Sequence, residues 1–341
     1  MAETVLITGA TGLLGKSLVR YFSGKGDTVV AAVRDKAKGR ALLGEMPNVR
    51  IIEWDVLNKA SENISIDRLI HAASETSSAC FVTRPVETIV SIVDGTRNVL
   101  EFARTVGVRS VVFLSTLEVY GTASDKECLS ETDCGALDSM AVRSSYPEAK
   151  RLAETLCVAY YCEYGVPVRI ARLTQTFGTG VVRGDSRVFA QFAEAALTGR
   201  DIVLHTPGTT ARCYCAVSDA VRALDVILHQ GTDGEAYNVA NPSTYCTIRE
   251  MADRIAMRYP GVHVVSDLAA AEGRGYAPEV HICLDVSKLR SLGWSPRIGL
   301  DEMFDEMINE WRVGHARTGD KDGTVRQTHG NVFQERIENG C

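Results

Sequence analysis

Residues 4–23 constrain the fold more than any other stretch of this 341-residue chain. Thr4-Val5-Leu6-Ile7 reads as a short buried strand, and Lys16 to Ser23 reads as a helix. Between them lies Thr8-Gly9-Ala10-Thr11-Gly12-Leu13-Leu14-Gly15. Strand, glycine-rich turn and helix in that order are the context a dinucleotide fingerprint requires. Gly9 permits a tight turn, Gly12 lets the backbone approach a pyrophosphate, and Gly15 lets helix pack on strand. The helix N-terminus then meets the phosphates, with Thr11, Leu13 and Leu14 among the contacts expected there. The Gly-x-x-Gly-x-x-Gly spacing departs from the commoner Gly-x-Gly-x-x-Gly.

The rest of the chain continues the alternation. Apolar runs at Val5–Thr8, Val29–Val33, Val49–Trp54, Arg68–Ala72, Val111–Ser115 and Val168–Leu173 read as strands separated by helical patterns. That rhythm predicts an α/β fold, a doubly wound parallel Rossmann sheet with right-handed crossovers. Val86–Thr105 and Tyr146–Tyr164 read as long helices beside the later strands. Beyond Leu173 the pieces shorten and gain Gly and Pro, which predicts a smaller substrate-binding lobe over 174–313. The lobe is interleaved with the dinucleotide-binding domain of 1–173, since Ala216–Gln230 (helical) and Glu235–Ala240 (strand) return to the sheet within 213–241. From Gly314 to residue 341 the chain is polar and without period, and a mobile tail is expected.

Tyr146-Pro147-Glu148-Ala149-Lys150 carries the chemistry. On a helix, positions i and i+4 share one face, so Lys150 is expected to hold its ammonium below the Tyr146 phenol. A nearby positive charge favours phenolate and lowers a pKa of about 10 toward neutrality. A poised phenolate can take a proton from a sugar hydroxyl while hydride leaves the same carbon. The spacing alone is common; its position downstream of Ser115-Thr116 and of the glycine turn gives it meaning.

Taken together, Thr8 to Gly15, Asp55-Val56, His71-Ala72-Ala73-Ser74, Gly95-Thr96-Arg97-Asn98, Ser115 to Gly121, Tyr146 to Glu154, Arg212, Tyr237 to Ala240 and Leu292 to Pro296 resemble the extended short-chain dehydrogenase/reductases. Within them they resemble the nucleotide-sugar epimerase/dehydratase/decarboxylase family, over about residues 3–312. The resemblance implies that Thr116 bonds the sugar 4-hydroxyl, Tyr146 is the base, and Lys150 also binds the nicotinamide ribose. It places Asp55 and Val56 against adenine and Ala72 and Ala73 along the cofactor trough. Ser115, through its backbone, and Leu173 are further cofactor contacts. Gln175 stands where relatives carry Asn on a phosphate oxygen. Arg187, Val188 and Arg212 match positions near the diphosphate, where a guanidinium fork suits bidentate contact. Asp201 to His205 matches the strand beside the nucleotide base, with Val203 and His205 as contacts. Arg274 is a candidate to replace an arginine that relatives carry near His281 to Asp285, and Ile92 replaces a polar residue behind the site. A homodimer built on the two long helices is also implied.

Two positions bear on specificity. At the end of the second strand, an acidic residue would favour NAD and a basic one NADP. Val33-Arg34, followed by Lys36, Lys38 and Arg40, favours NADP; Asp35 keeps NAD open, and Arg34 can also stack on adenine. Glu118 is the second. Dehydratases follow the Thr with Asp-Glu, decarboxylases with Ser-Glu, and this chain with Leu117-Glu118. The acid for a leaving 6-hydroxyl is therefore missing, while Glu118 remains able to act at C5.

Composition excludes other classes. A net charge of −6 gives no basic footprint for nucleic acid. No apolar run is long enough to span a bilayer, and no secretion signal opens the chain, so a cytoplasmic location is expected. The ten cysteines are then most simply reduced, buried thiols, and Cys213-Tyr214-Cys215, lacking a second pair, reads as packing rather than a metal site. The expected function is an NAD(P)-dependent epimerase acting on a nucleoside diphosphate sugar through a transient 4-ketone. A 4,6-dehydratase or a UDP-glucuronate-type decarboxylase stands close behind. A one-way NADPH-dependent reductase and a catalytically silent NADP-binding regulator are the rivals from other classes.

Overall fold

The computed structural model describes residues 2–60, 64–122, 128–268 and 279–318, with side chains to residue 313. Along the chain, β1 (Thr4–Thr8), α1 (Leu13–Gly24), β2 (Thr28–Val33), α2 (Lys36–Leu43), β3 (Val49–Glu53) and β4 (Arg68–His71) come first. They are followed by α3 (Ser78–Thr83), α4 (Pro85–Val106), β5 (Ser110–Thr116), α5 (Ser145–Tyr164) and β6 (Val168–Leu173). Next are β7 (Gln175–Phe177), α6 (Val188–Thr198), β8 (Ile202–Leu204), β9 (Ala211–Ala216), α7 (Val217–Gln230) and β10 (Ala236–Val239). The chain closes with β11 (Asn241–Thr247), α8 (Ile248–Arg258), β12 (Val264–Ser266), β13 (His281–Ile282), α9 (Ser287–Ser291) and α10 (Leu300–Thr318).

Seven strands form a parallel sheet in the order β10-β6-β5-β4-β1-β2-β3. Both faces are covered. Val5 and Ile7 pack into one apolar layer and Leu6 into the other. Burial on two sides is why β1, β2 and β5 read as unbroken apolar runs rather than alternating ones. The strand order reverses between β1 and β4, and in parallel α/β sheets ligands bind at the carboxyl ends beside that reversal. Thr8 is level with His71 there, and Thr116 with Leu173 farther along.

A second layer of structure covers that edge. β9 is flanked by β11 and β13 and also pairs with β7, while β8 pairs with β12. Its own core holds Phe177, Phe189, Tyr214, Met251, Phe304 and Trp311. β9 divides its side chains: Cys213 and Cys215 face the central-sheet core, Tyr214 and Ala216 the lobe core.

Several boundaries differ from expectation for identifiable reasons. α1 starts at Leu13 rather than Lys16, because the turn is complete once the Gly12 amide donates to the Gly9 carbonyl at 2.9 Å. α10 runs through Gly314 to Thr318, so the expected tail begins later; residues 319–341 lie outside the described residues. Met303, Phe304, Met307, Ile308 and Trp311 give it a buried stripe at helical spacing.

The cysteine expectation is corrected. Cys128 and Cys283 form a disulfide across a sequence separation of 155. It follows from tertiary pairing, since Leu129 bridges Leu284 next to it and brings the two cysteine Cα atoms to 4.5 Å. Cys134 and Cys162 are exposed, whereas Cys157, Cys213, Cys215 and Cys246 are buried free thiols.

Candidate active site

The turn after β1 shows why glycine stands at each position. Gly9 has φ +66°, and a Cβ there would meet the Ala72 and Ala73 backbone at 2.7 Å. A Cβ on Gly15 would lie 2.1 Å from the Gly9 carbonyl oxygen, so Gly15 fits α1 onto the turn itself rather than onto the strand. Gly12 is the N-cap of α1 and offers no side-chain cap. The first amides of α1 are thus left for an anionic partner.

A cleft of about 420 Å³ opens at this point. Gly9, Thr11, Gly12, Arg34, Asp55, Val56, Ala72 and Ala73 line it, with Trp54 as an aromatic wall. Of the other expected cofactor contacts, Leu13, Leu14, Ser115, Tyr146, Lys150 and Leu173 are not among its lining residues. Asp35, the acidic alternative beside Arg34, is engaged as the N-cap of α2, accepting from the Lys38 amide at 2.9 Å. A bare helix start and a cradle that a Cβ would fill fit a dinucleotide.

The second half of the site lies at the end of β5. Thr116 terminates the strand, and its Oγ1 accepts from the Glu118 amide at 3.3 Å, turning the chain into a 3-10 helix over Leu117–Tyr120. The same hydroxyl stands beside the Tyr146 phenol and acts to lower its pKa. Thr116, Glu118 and Tyr146 are thus brought together. Leu117, by contrast, is buried.

Lys150 is near but not where the spacing suggested. Its Nζ donates to the Leu114 carbonyl at 2.8 Å, lies 4.7 Å from the Phe113 ring centre and 6.0 Å from that of Tyr146. The expectation that Lys150 lowers the Tyr146 pKa is corrected: burial dominates and holds the phenol above its ordinary value. The Glu118 charge adds to that, while the Thr116 hydrogen bond and Arg143 oppose it. Burial also lowers Lys150 itself to about 8, with the Glu154 charge opposing. His71 beneath the site, between the Thr8 and Thr96 hydroxyls, is pushed down to about 3 by burial and then by Lys150.

The lobe residues fare unevenly. Arg212 stands in β9, its Nε buried with no partner among the described residues, and Gln175 is level with Tyr214 two residues on. Arg187 caps the start of α6, next to Val188, but its guanidinium is already paired with Asp185 at 2.6 Å and lies over Phe189. A diphosphate bound there would share the guanidinium with Asp185. Val203 is exposed on β8, and His205 Nδ1 lies 3.3 Å from the Asp267 carbonyl oxygen. Arg274 lies outside the described residues.

Two groups escaped the sequence reading. Arg143 Nη2 is 2.9 Å from Glu118 Oε2, and its guanidinium sits 4.9 Å from the Phe81 ring centre. Phe81 is stacked on Tyr146 at 4.1 Å and 9°. An arginine three residues before the tyrosine was available as a signal, but nothing local ties it to Glu118. The other is Glu154, which accepts from the Ser115 hydroxyl and is paired with Arg172 at 2.7 Å. The Ser115 side chain is therefore committed inward.

Comparison with known proteins agrees with the fold. The family model described as "NAD dependent epimerase/dehydratase family" matches residues 5–240. The chain belongs to that family. It is accordingly an NAD-dependent enzyme of the extended short-chain dehydrogenase/reductase type. UDP-glucuronic acid decarboxylase 3 of Arabidopsis thaliana is 32% identical over 317 residues, 91% of this chain and 89% of the relative. MoeE5, solved in complex with UDP-glucuronic acid and NAD, is similar with TM-score 0.74 at 26% identity, covering 91% of this chain and 99% of that one. The dTDP-glucose 4,6-dehydratase DesIV of Streptomyces venezuelae, solved with NAD and TYD bound, shares the fold with TM-score 0.77 at 22% identity, covering 92% of this chain and 98% of that one. The NADP preference read from Arg34 finds no support in these relatives. Among the described residues, no helix of this epimerase/dehydratase-family enzyme is long and apolar enough to cross a membrane.

Proposed function

We propose that this enzyme is a nucleotide-sugar epimerase that works through a transient 4-ketone and keeps its NAD through the turnover. The observation that carries the reading is the cluster of Thr116, Tyr146 and Glu118 at the carboxyl edge of β5, with buried Leu117 where a dehydratase needs its acid. Gly9, Gly12, Ala72 and Ala73 would hold the dinucleotide, and Arg34 would stack on its adenine. Bound in its oxidised form, NAD supplies the hydride acceptor and a fixed positive charge. Thr116 positions the sugar 4-hydroxyl, and the Tyr146 oxygen takes its proton and later returns it. Lys150, fixed on the Leu114 carbonyl, is the group proposed to bond the nicotinamide ribose. Glu118 is the group proposed to act at C5, whose hydrogen the neighbouring ketone would acidify. Arg212, with its orphaned Nε, is the arginine proposed for the diphosphate. The second reading is decarboxylation of a nucleotide-linked hexuronate, favoured by the identity to a plant decarboxylase over nine-tenths of the chain.

The test is incubation with UDP-glucose and with UDP-glucuronic acid in deuterium oxide without added cofactor, followed by NMR. An epimer formed catalytically supports the proposal. A UDP-pentose with loss of carbon dioxide selects the second reading, and no turnover of either sugar overturns both. We also propose a homodimer. α4 and α5 pack together and leave Val86, Ile89, Val90 and Leu152 exposed, an apolar surface that suits a second copy. Light scattering at twice the chain mass of 37.1 kDa would support this, and the monomer mass would refute it.

A further inference from the structure

We propose that Arg143 is a specificity-determining residue that reads a carboxylate on C5 of the sugar, an inference that rests on the reading of the site as a 4-hydroxyl oxidation centre. Thr116 and Tyr146 mark the end of the site where the 4-hydroxyl is handled, and Glu118 is two residues beyond Thr116. Whatever C5 carries must share space with Glu118 and with the group paired to it. That group is a guanidinium 2.9 Å from Glu118 Oε2.

The placement is defined by more than the ion pair. The Arg143 guanidinium lies 4.9 Å from the Phe81 ring centre, and Phe81 lies parallel to Tyr146 at 4.1 Å. Phe81 is almost fully buried, so the stack holds the cation at a set offset from the acid–base oxygen. The outer side remains open: the Arg143 side chain keeps 36% of its exposure and Glu118 keeps 32%. A guanidinium has five N–H donors in a planar fork. The contacts to Glu118 come from Nη2 alone. The unused donors suit a second carboxylate, for which paired parallel bonds are the strongest geometry.

Charge supplies the selection. A neutral hydroxymethyl on C5 gains nothing from a cation there and leaves it on Glu118. A hexuronate would put its carboxylate near Glu118, and two like charges without Arg143 would repel. With Arg143 between them, the three groups sum to a single negative charge. Losing one partner from a close charge pair costs roughly 30-fold to several thousand-fold in binding.

The test compares UDP-glucuronic acid with UDP-glucose on wild type, Arg143→Gln and Arg143→Lys, reading kcat/KM from product formation and affinity from calorimetry, with thermal melts to confirm folding. In wild type the acid is expected to be the better substrate and the tighter ligand. Arg143→Gln is expected to lower the acid-to-neutral ratio by roughly 100-fold, and Arg143→Lys to recover part of it, having charge without the fork. An unchanged ratio, with both sugars losing equally, would show that Arg143 only supports Glu118 and would overturn the inference. Turnover of neither sugar with the ratio of affinities still shifting by Arg143→Gln would overturn the parent function and keep the carboxylate subsite. Failure of the folded wild type to bind the acid more tightly than the neutral sugar overturns the inference directly.

Discussion

The two halves of the site are held by different kinds of atoms. At the end of β1 the cleft is shaped by backbone: Gly9 against Ala72 and Ala73, Gly15 against Gly9, and the uncapped amides of α1. At the end of β5 the geometry belongs to side chains: Thr116 on Tyr146, Arg143 on Glu118, and Phe81 stacked beneath them. Backbone shape tolerates no added atom, so the first half is written into glycine positions and resists change. Side-chain geometry allows exchange, so the second half can be retuned for a different sugar without disturbing the fold. Leu117, where dehydratases carry Asp, lies on that side.

The largest expected effect separates chemistry from cofactor grip. Tyr146→Phe removes the phenolic oxygen and little volume, and its kcat should fall roughly 10²- to 10⁴-fold. NAD affinity, measured by calorimetry, should hold within a few-fold. A comparable loss of NAD affinity would show that the two halves are not separable. Gly15→Ala should do the reverse. A methyl 2.1 Å from the Gly9 oxygen must shift the turn, and NAD should bind roughly 100-fold more weakly for a distortion costing about 3 kcal/mol. Full cofactor affinity in that variant would break the claim that backbone contact shapes the cleft. Thr116→Val is the gentlest probe. It removes the hydroxyl proposed to position the sugar 4-hydroxyl beside Tyr146, and a hydrogen bond of about 1 to 1.5 kcal/mol predicts roughly a tenfold loss of kcat. An unaltered kcat would reduce Thr116 to a cap on the 3-10 turn.

Much of the fold was legible because the parallel sheet is buried on both faces. Val29–Val33 and Val111–Leu114 declare themselves as continuous apolar runs, and the glycine turn fixes how the first strand joins its helix. Reading was poorer where distant segments meet. The Cys128–Cys283 disulfide depends on Leu129 pairing with Leu284, and no local spacing announces it. The pairing of the Arg187 guanidinium with Asp185 is likewise set by the fold of the loop before α6. The Tyr146–Lys150 spacing did place both groups on one buried face, but the ammonium went to the Leu114 carbonyl. Helical periodicity sets the face a side chain occupies; it says nothing of which acceptor on the neighbouring strand captures it.

The amino-acid order alone determined the strand–helix alternation, the glycine turn and the residue types able to oxidise a hydroxyl, because these follow from local sterics and from burial. Tertiary structure decided which charge faces which. Glu118 and Arg143 are separated along the chain and meet only because α5 packs beside β5. Coulombic partners are chosen by distance in space, and that distance is set by the packing of whole elements.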